Sequence, residues 1–247
     1  MASSPEPAAQ RLHVITGASA GMGGACVDAL ASRGDLVVAV ARRGDVLVER
    51  FGTTENVAIV AADIGDSRGR QAIIDAIAAH PGPITSIIHG AATAVALEPW
   101  TTLDPDQLTA HFHVHVASAV ALTGALHRTV GVERCVLFDS YSATNPRVGW
   151  SAYSILKAAS QMAFRAAAAE LSDVAIIRAF PGAVGTPLLD RVLDAPRTIE
   201  ATAVYHELND TDRVSTPEEI AEQLLAILDR SSDELRATDT WTIGHPA

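Results

Sequence analysis

Leu12-His13-Val14-Ile15-Thr16-Gly17-Ala18-Ser19-Ala20-Gly21-Met22-Gly23 is the stretch on which the fold turns. An apolar run of strand length ends in a glycine-rich turn, and the turn opens a segment of helical period that continues to residue 33. Glycines at such a junction allow a tight turn and a close approach of the backbone to a pyrophosphate, while the free N–H groups of the helix amino end favour an anion. A second apolar run, Leu36 to Ala41, follows at once, so these residues predict a βαβ unit.

The same alternation continues outward. Apolar runs at 57–61, 84–89, 134–139 and 174–179 are separated by a short helix at 45–51 and helices over 67–79, 104–130 and 151–171. Nearly continuous Val, Ile, Leu and Ala suit strands covered on both faces, and right-handed crossovers stack them into a doubly wound parallel sheet with helices on both sides. The fold class is therefore α/β. Residues 187–213 show weak periodicity and several charges, the pattern of a substrate lid. Thr216-Pro217-Glu218-Glu219 then opens a helix to about 230, with threonine as cap and proline in the first turn, and Thr240 to Ile243 reads as a closing strand. Residues 1–10 read as a disordered lead and 11–247 as a single domain.

Composition narrows the partners. The 247 residues are 48% hydrophobic, enough to bury one large core, and the net charge of −11 opposes binding to nucleic acid or an anionic membrane. Cys26 and Cys135 are too few for a disulfide framework and fit a reducing compartment. The first ten residues carry neither the basic start nor the apolar stretch of a secretion signal, and no apolar run approaches the roughly 20 residues that span a bilayer. A soluble, cytoplasmic protein is expected.

The chemistry is carried by Tyr153 and Lys157, four apart in a predicted helix and so on one face, with Ser140 thirteen residues upstream of the tyrosine. A free phenol has a pKa of about 10, and a neighbouring ammonium lowers it toward a useful proton donor. Lysine supplies that charge in this reading. At the end of the second strand the acid that would take both ribose hydroxyls of NAD is missing, and the chain reads Val40-Ala41-Arg42-Arg43. Arg42, helped by Arg43 and Ser19, suits the 2′-phosphate of NADP. Asp63, followed by Ile64, is placed to accept a hydrogen bond from an adenine amine. His111, His113 and His115 supply no third metal ligand on one helical face, so a packed or solvent-facing pair is the better reading and no metal is expected. Tyr141, Trp150, Leu188, Leu189 and Tyr205 are expected on loops around a substrate carbonyl, which suggests an apolar or aromatic ketone.

Four motifs in order, Thr16–Gly23, Ser140, Tyr153 with Lys157, and Pro181-Gly182-Ala183-Val184-Gly185-Thr186, make the chain resemble the single-domain short-chain dehydrogenases/reductases over residues 11–244. The stretches Arg42–Phe51 and Val214–Ala221 are most similar to carbonyl reductases of the sepiapterin and benzil type. The resemblance implies a Rossmann-like sheet of about seven strands and a homodimer or homotetramer packed through the fourth and fifth helices, 104–130 and 151–171. It implies a nicotinamide cofactor held by Gly17, Ser19, Gly21, Met22 and Gly23 at the pyrophosphate and by Gly90 and Ala91 at the ribose. Pro181, Gly182, Val184 and Thr186 would meet the nicotinamide, with Tyr153 and Lys157 beside it. Two positions depart from the family pattern. His89-Gly90-Ala91-Ala92 stands where Asn-Asn-Ala-Gly is usual, and His115 aligns with an asparagine whose backbone carbonyl holds a relay water. An imidazole there is a candidate for the relay, and its competing role is to keep a helix distortion with the side chain pointing elsewhere. The expected reaction is NADPH-dependent reduction of a ketone or aldehyde to an alcohol. Its alternatives are oxidation of an alcohol with NAD(P) and a non-catalytic nucleotide sensor.

Overall fold

The computed structural model describes residues 10–80, 82–93, 97–194 and 200–245, with only the backbone of Ala201. Of the expected lead only Gln10 falls within them, and residues 195–199 of the expected lid lie outside.

Seven parallel strands form one sheet in the order β3-β2-β1-β4-β5-β6-β7. They are β1 (Leu12–Thr16), β2 (Leu36–Ala41), β3 (Val57–Ala61), β4 (Ser86–His89), β5 (Arg134–Phe138), β6 (Ala175–Phe180) and β7 (Trp241–Thr242). The order reverses between β1 and β4, and at such a point the loops leaving neighbouring carboxyl ends diverge to open a crevice. Thr16 pairs in register with both Val40 and His89, so the crevice is bordered by the ends of β1, β2 and β4.

Helices cover both faces because side chains alternate along each strand. Ile15 and Ile88 join one buried layer with α1 (Gly21–Ser32), α2 (Gly44–Phe51), α9 (Pro217–Leu228) and α10 (Ser232–Ala237). Their neighbours Val14 and Ile87 join the other, against α3 (Ser67–Ile77), α5 (Ser118–Thr129) and α6 (Ser151–Glu170). The capping box between Thr216 and Glu219 starts α9 where the sequence placed it.

Two expectations change. The helix expected over 104–130 is three pieces: α4 (Pro105–Phe112), a π-helical turn His113–Ala117, and α5. The segment 187–213 holds α7 (Pro187–Leu193) and α8 (Glu200–Asp210). Both are short, and charges on their outer faces dilute the apolar period.

Candidate active site

The crevice begins at the β1–α1 loop. Gly17 has φ +72°, which favours glycine, and a Cβ there would collide with the backbone of Gly90 and Ala91. Gly23 packs as closely on Gly17. These glycines set the floor of a cleft of about 480 Å³ that runs past Ser19, Gly21, Met22, Arg42, Arg43, Asp63, Ile64 and the loop Gly90–Thr93 to Thr186. It is a cradle shaped for an extended anionic ligand at a helix amino end, and a dinucleotide fits it. Arg42, two-thirds exposed at 66%, faces Asp63 at 3.9 Å, while Arg43 donates to the Ser19 hydroxyl at 2.9 Å. Asp63 also accepts the Gly65 amide at 2.8 Å, shaping the turn it starts.

Not every expected cofactor residue lines the cleft. Val184 is buried and bridges to Ser215, and Gly182 packs against the carbonyl of His245, so the Pro181–Gly182 turn braces the C-terminal segment. Tyr153 and Lys157, both on α6, are not part of the cleft lining either.

Ser140 follows the end of β5. Its hydroxyl accepts the Ser142 amide at 3.3 Å and thereby caps the 3₁₀ turn Tyr141–Ala143. Tyr153 is half-buried. Burial pushes its phenol pKa up, hydrogen bonding with Ser140 works against that, and the charge of Asp139 adds to the rise. Lys157 is pushed down to about 8 by burial, against the opposing effect of Asp139. Its Nζ donates to the Phe138 carbonyl at 2.8 Å and stands 5.7 Å from the Tyr153 ring centroid. The shared face follows from the four-residue spacing, but the expected lowering of the phenol pKa by Lys157 does not, because the ammonium is directed to a backbone carbonyl and burial dominates.

Asp139 is a residue the sequence reading missed. It is buried, accepts the Ser140 amide at 2.7 Å and the Gln161 side chain at 3.0 Å, and pairs with buried Arg178 at 3.5 Å. Arg178 reaches on to Asp239 and to the Thr240 hydroxyl. One carboxylate thus ties the serine loop to α6 and to β6. The signal in sequence was only an acid beside Ser140, and its partner stands 39 residues away.

The histidines part ways. His113 Nε2 lies 2.7 Å from the Gly65 carbonyl. His115 turns to the loop after β4, where its Nε2 stands 3.0 Å from the Thr93 amide, and the Thr93 hydroxyl stands 2.6 Å from His111 Nδ1. The same Nε2 stands 3.2 Å from the Thr93 carbonyl, so the ring is held against that residue's backbone from both sides. Burial, with the nearby Lys157 charge, pushes His115 down to about 4. The π turn displaces carbonyls from the helical ladder, and Ser118 takes that of His113 at 2.7 Å while Ser160 takes that of His115 at 3.3 Å. The turn is π-helical, and the His115 ring faces Thr93 of the loop after β4. His89, the other departure from the pattern, is buried against Thr123 at 2.7 Å.

The expected substrate residues divide. Trp150 and Leu189 are buried in one cluster with Val192, and Tyr153 and Tyr205 pack on it. Trp150 stacks on Tyr205 at 5.1 Å and meets Tyr153 edge-on at 5.3 Å. Leu188 lines the dinucleotide cleft instead, and Tyr141 is exposed. Leu188, Leu189 and Tyr205 sit on α7 and α8 rather than on loops.

The family model for short chain dehydrogenases matches residues 11–196. The chain belongs to that family. It is an oxidoreductase by descent, with the nicotinamide cofactor that membership implies. It is 23% identical over 237 residues to a benzil reductase of Bacillus subtilis, spanning 92% of this chain and 97% of that protein. It is 26% identical over 239 residues to a mouse sepiapterin reductase, with 89% and 92% covered. Among solved structures it superposes on the 3-ketoacyl-(acyl-carrier-protein) reductase of Brucella melitensis in complex with NADH, with a TM-score of 0.81, 20% identity, and 95% and 96% of the two chains covered.

Proposed function

We propose that this family member reduces a ketone or aldehyde to an alcohol with NADPH, in a cytoplasmic setting and as a homo-oligomer. The observation that supports the reading is the hydrogen bonding of Tyr153 with Ser140, with half-buried Lys157 on the same helix and an aromatic cluster against the phenol, in a chain whose glycine loop opens a cleft shaped for a dinucleotide. A bound nicotinamide supplies the hydride. The Tyr153 phenol donates the proton to the carbonyl oxygen, and the Ser140 hydroxyl holds that oxygen in place. A phenol kept protonated by burial is an acid at neutral pH, which suits reduction. Lys157, with a pKa of about 8, is charged at neutrality and exchanges protons readily above it. In this reading it holds ribose hydroxyls and returns a proton to the tyrosine.

Preference for NADPH is supported by Arg42 and Arg43 at the cleft and by Ala41 where an acid would bind the NAD ribose. Two buried free cysteines agree with a reducing cytoplasm, and no helix among the described residues is long and apolar enough to cross a membrane. Both relatives named above are reductases.

Tyr153→Phe is the test. It removes the proton and keeps the ring, so turnover of a ketone accepted by the unaltered protein should fall at least about 10²-fold with NADPH affinity held. Retention of most of the rate would make another group the donor.

A further inference from the structure

Arg147 lies in the loop between the 3₁₀ turn and α6, six residues before Tyr153. Its guanidinium carbon stands 5.8 Å from the ring centroid of Tyr141 and 5.6 Å from that of Tyr205. Tyr205 stacks on Trp150, and Trp150 abuts Tyr153. Arg147 therefore ends a continuous run of side chains that begins at the candidate proton donor. It also links two elements, since Tyr141 belongs to the serine loop and Tyr205 to α8.

A guanidinium held beside aromatic rings makes no hydrogen bond to them, so its five N–H donors remain for another partner. Among the described residues none of these donors meets a hydrogen-bond acceptor, and no carboxylate pairs with Arg147. The chain has 29 acidic residues against 18 basic ones, so acids are in surplus and this arginine nevertheless has none beside it among the described residues. Its charge reaches the active-site aromatics: it favours the ionised form of Tyr205, against the effects of burial and of Tyr153.

We infer that the carbonyl substrate carries a carboxylate and that Arg147 is the residue that selects it. This rests on the reductase reading above and names its substrate class. One guanidinium edge matches one planar carboxylate through two parallel hydrogen bonds, whereas a phosphate dianion usually gathers more than one cation. The body of the substrate meets the half-buried rings of Tyr153 and Tyr205, which pack on the cluster around Trp150, an apolar surface that suits a ring or an aromatic group. With the carbonyl at Tyr153 and the acid at Arg147, the substrate is held at both ends, which fixes the presented face of the ketone.

The experiment pairs 4-acetylbenzoate with its neutral methyl ester. Reduction of both is followed by NADPH consumption in the unaltered chain, in Arg147→Met, which keeps the stem and removes the charge, and in Arg147→Lys. The acid should be preferred in kcat/KM by at least about tenfold, Arg147→Met should abolish that ratio mainly through the KM of the acid, and Arg147→Lys should restore part of it. Calorimetric titration of 4-acetylbenzoate in the presence of NADP+ should give binding that Arg147→Met weakens by a similar factor. Reduction of both compounds with no preference for the acid would overturn the inference and leave the reductase reading standing. So would equal losses on acid and ester in Arg147→Met, which would make the residue a lid brace. Binding of the acid that depends on Arg147, without reduction of either compound, would uphold the inference and count against the reductase reading.

Discussion

Arg42 reaches Asp63 only at 3.9 Å and is itself largely in solvent, so the pair is weak and the guanidinium is available to a stronger anion. A 2′-phosphate is such an anion, and a charge-assisted contact to it is worth about 1.5–3 kcal/mol. Arg42→Ala should weaken NADPH by about ten- to a hundredfold and NADH far less, as read by titrating cofactor fluorescence. Equal losses for both would remove the basis for a preference. Asp139 acts at the same scale through its neighbours. Its negative charge opposes the burial that holds Lys157 near 8, so in Asp139→Asn the amine loses its proton at lower pH. The alkaline limb of the pH–rate profile should move to lower pH and kcat should fall by about ten- to a hundredfold as the Ser140 amide loses a charged acceptor. Arg178 keeps Asp239 in that variant, so the fold has a remaining partner for the buried charge. A limb that stays in place would confine Asp139 to bracing the loop.

Among the elements, the π turn His113–Ala117 is where sequence and structure part most clearly. The segment has helical composition throughout, and nothing in its own residues marks the extra residue in the turn. The displaced carbonyls are taken by Ser118 and by Ser160 of α6, and only the latter contact depends on tertiary packing. The strands were legible because uninterrupted Val, Ile and Ala declare burial on both faces. Ser140, Tyr153, Lys157 and the glycine loop were legible because their spacing follows local geometry. Asp139 with Arg178, and Arg147 with Tyr205, were not, since each pair is joined only by the fold. His115→Asn tests the turn. The folded ring stays neutral down to about 4, against an ordinary 6.5, so the pH–rate profile between roughly 5.5 and 7.5 should be unaltered. KM for the cofactor should rise, because Thr93 lines the cleft and loses the imidazole that holds its backbone. Stability carries the sign: below 6.5 the unfolded ring takes a proton that the folded ring refuses, so its contribution is full above 6.5 and is lost as pH falls toward 4. Chemical denaturation of His115→Asn should show a shallower loss over that window, and an inflection missing from its rate profile would reinstate the imidazole in the relay.

At the scale of the molecule, all the candidate chemistry gathers at the carboxyl ends of the strands, which leaves the outer faces of α5 and α6 without a catalytic task. Those faces are more apolar than solvent exposure favours. Val120 is 49% exposed and Met162 62%, and Ala166, Ala168 and Ala169 of α6 lie in solvent. Small side chains let helices approach closely, and a two-fold axis that pairs α5 and α6 with their copies would bury the whole stripe at once. A stable interface removes about 800 Å² per partner from water. A single charge introduced at its centre meets its own copy across the axis, so its cost is counted twice. Sedimentation at micromolar concentration should show a dimer or tetramer, and Met162→Glu should shift it toward monomer without altering the far-ultraviolet circular dichroism. A chain that sediments as a monomer at that concentration would assign the alanines to local packing and the exposed methionine to no partner.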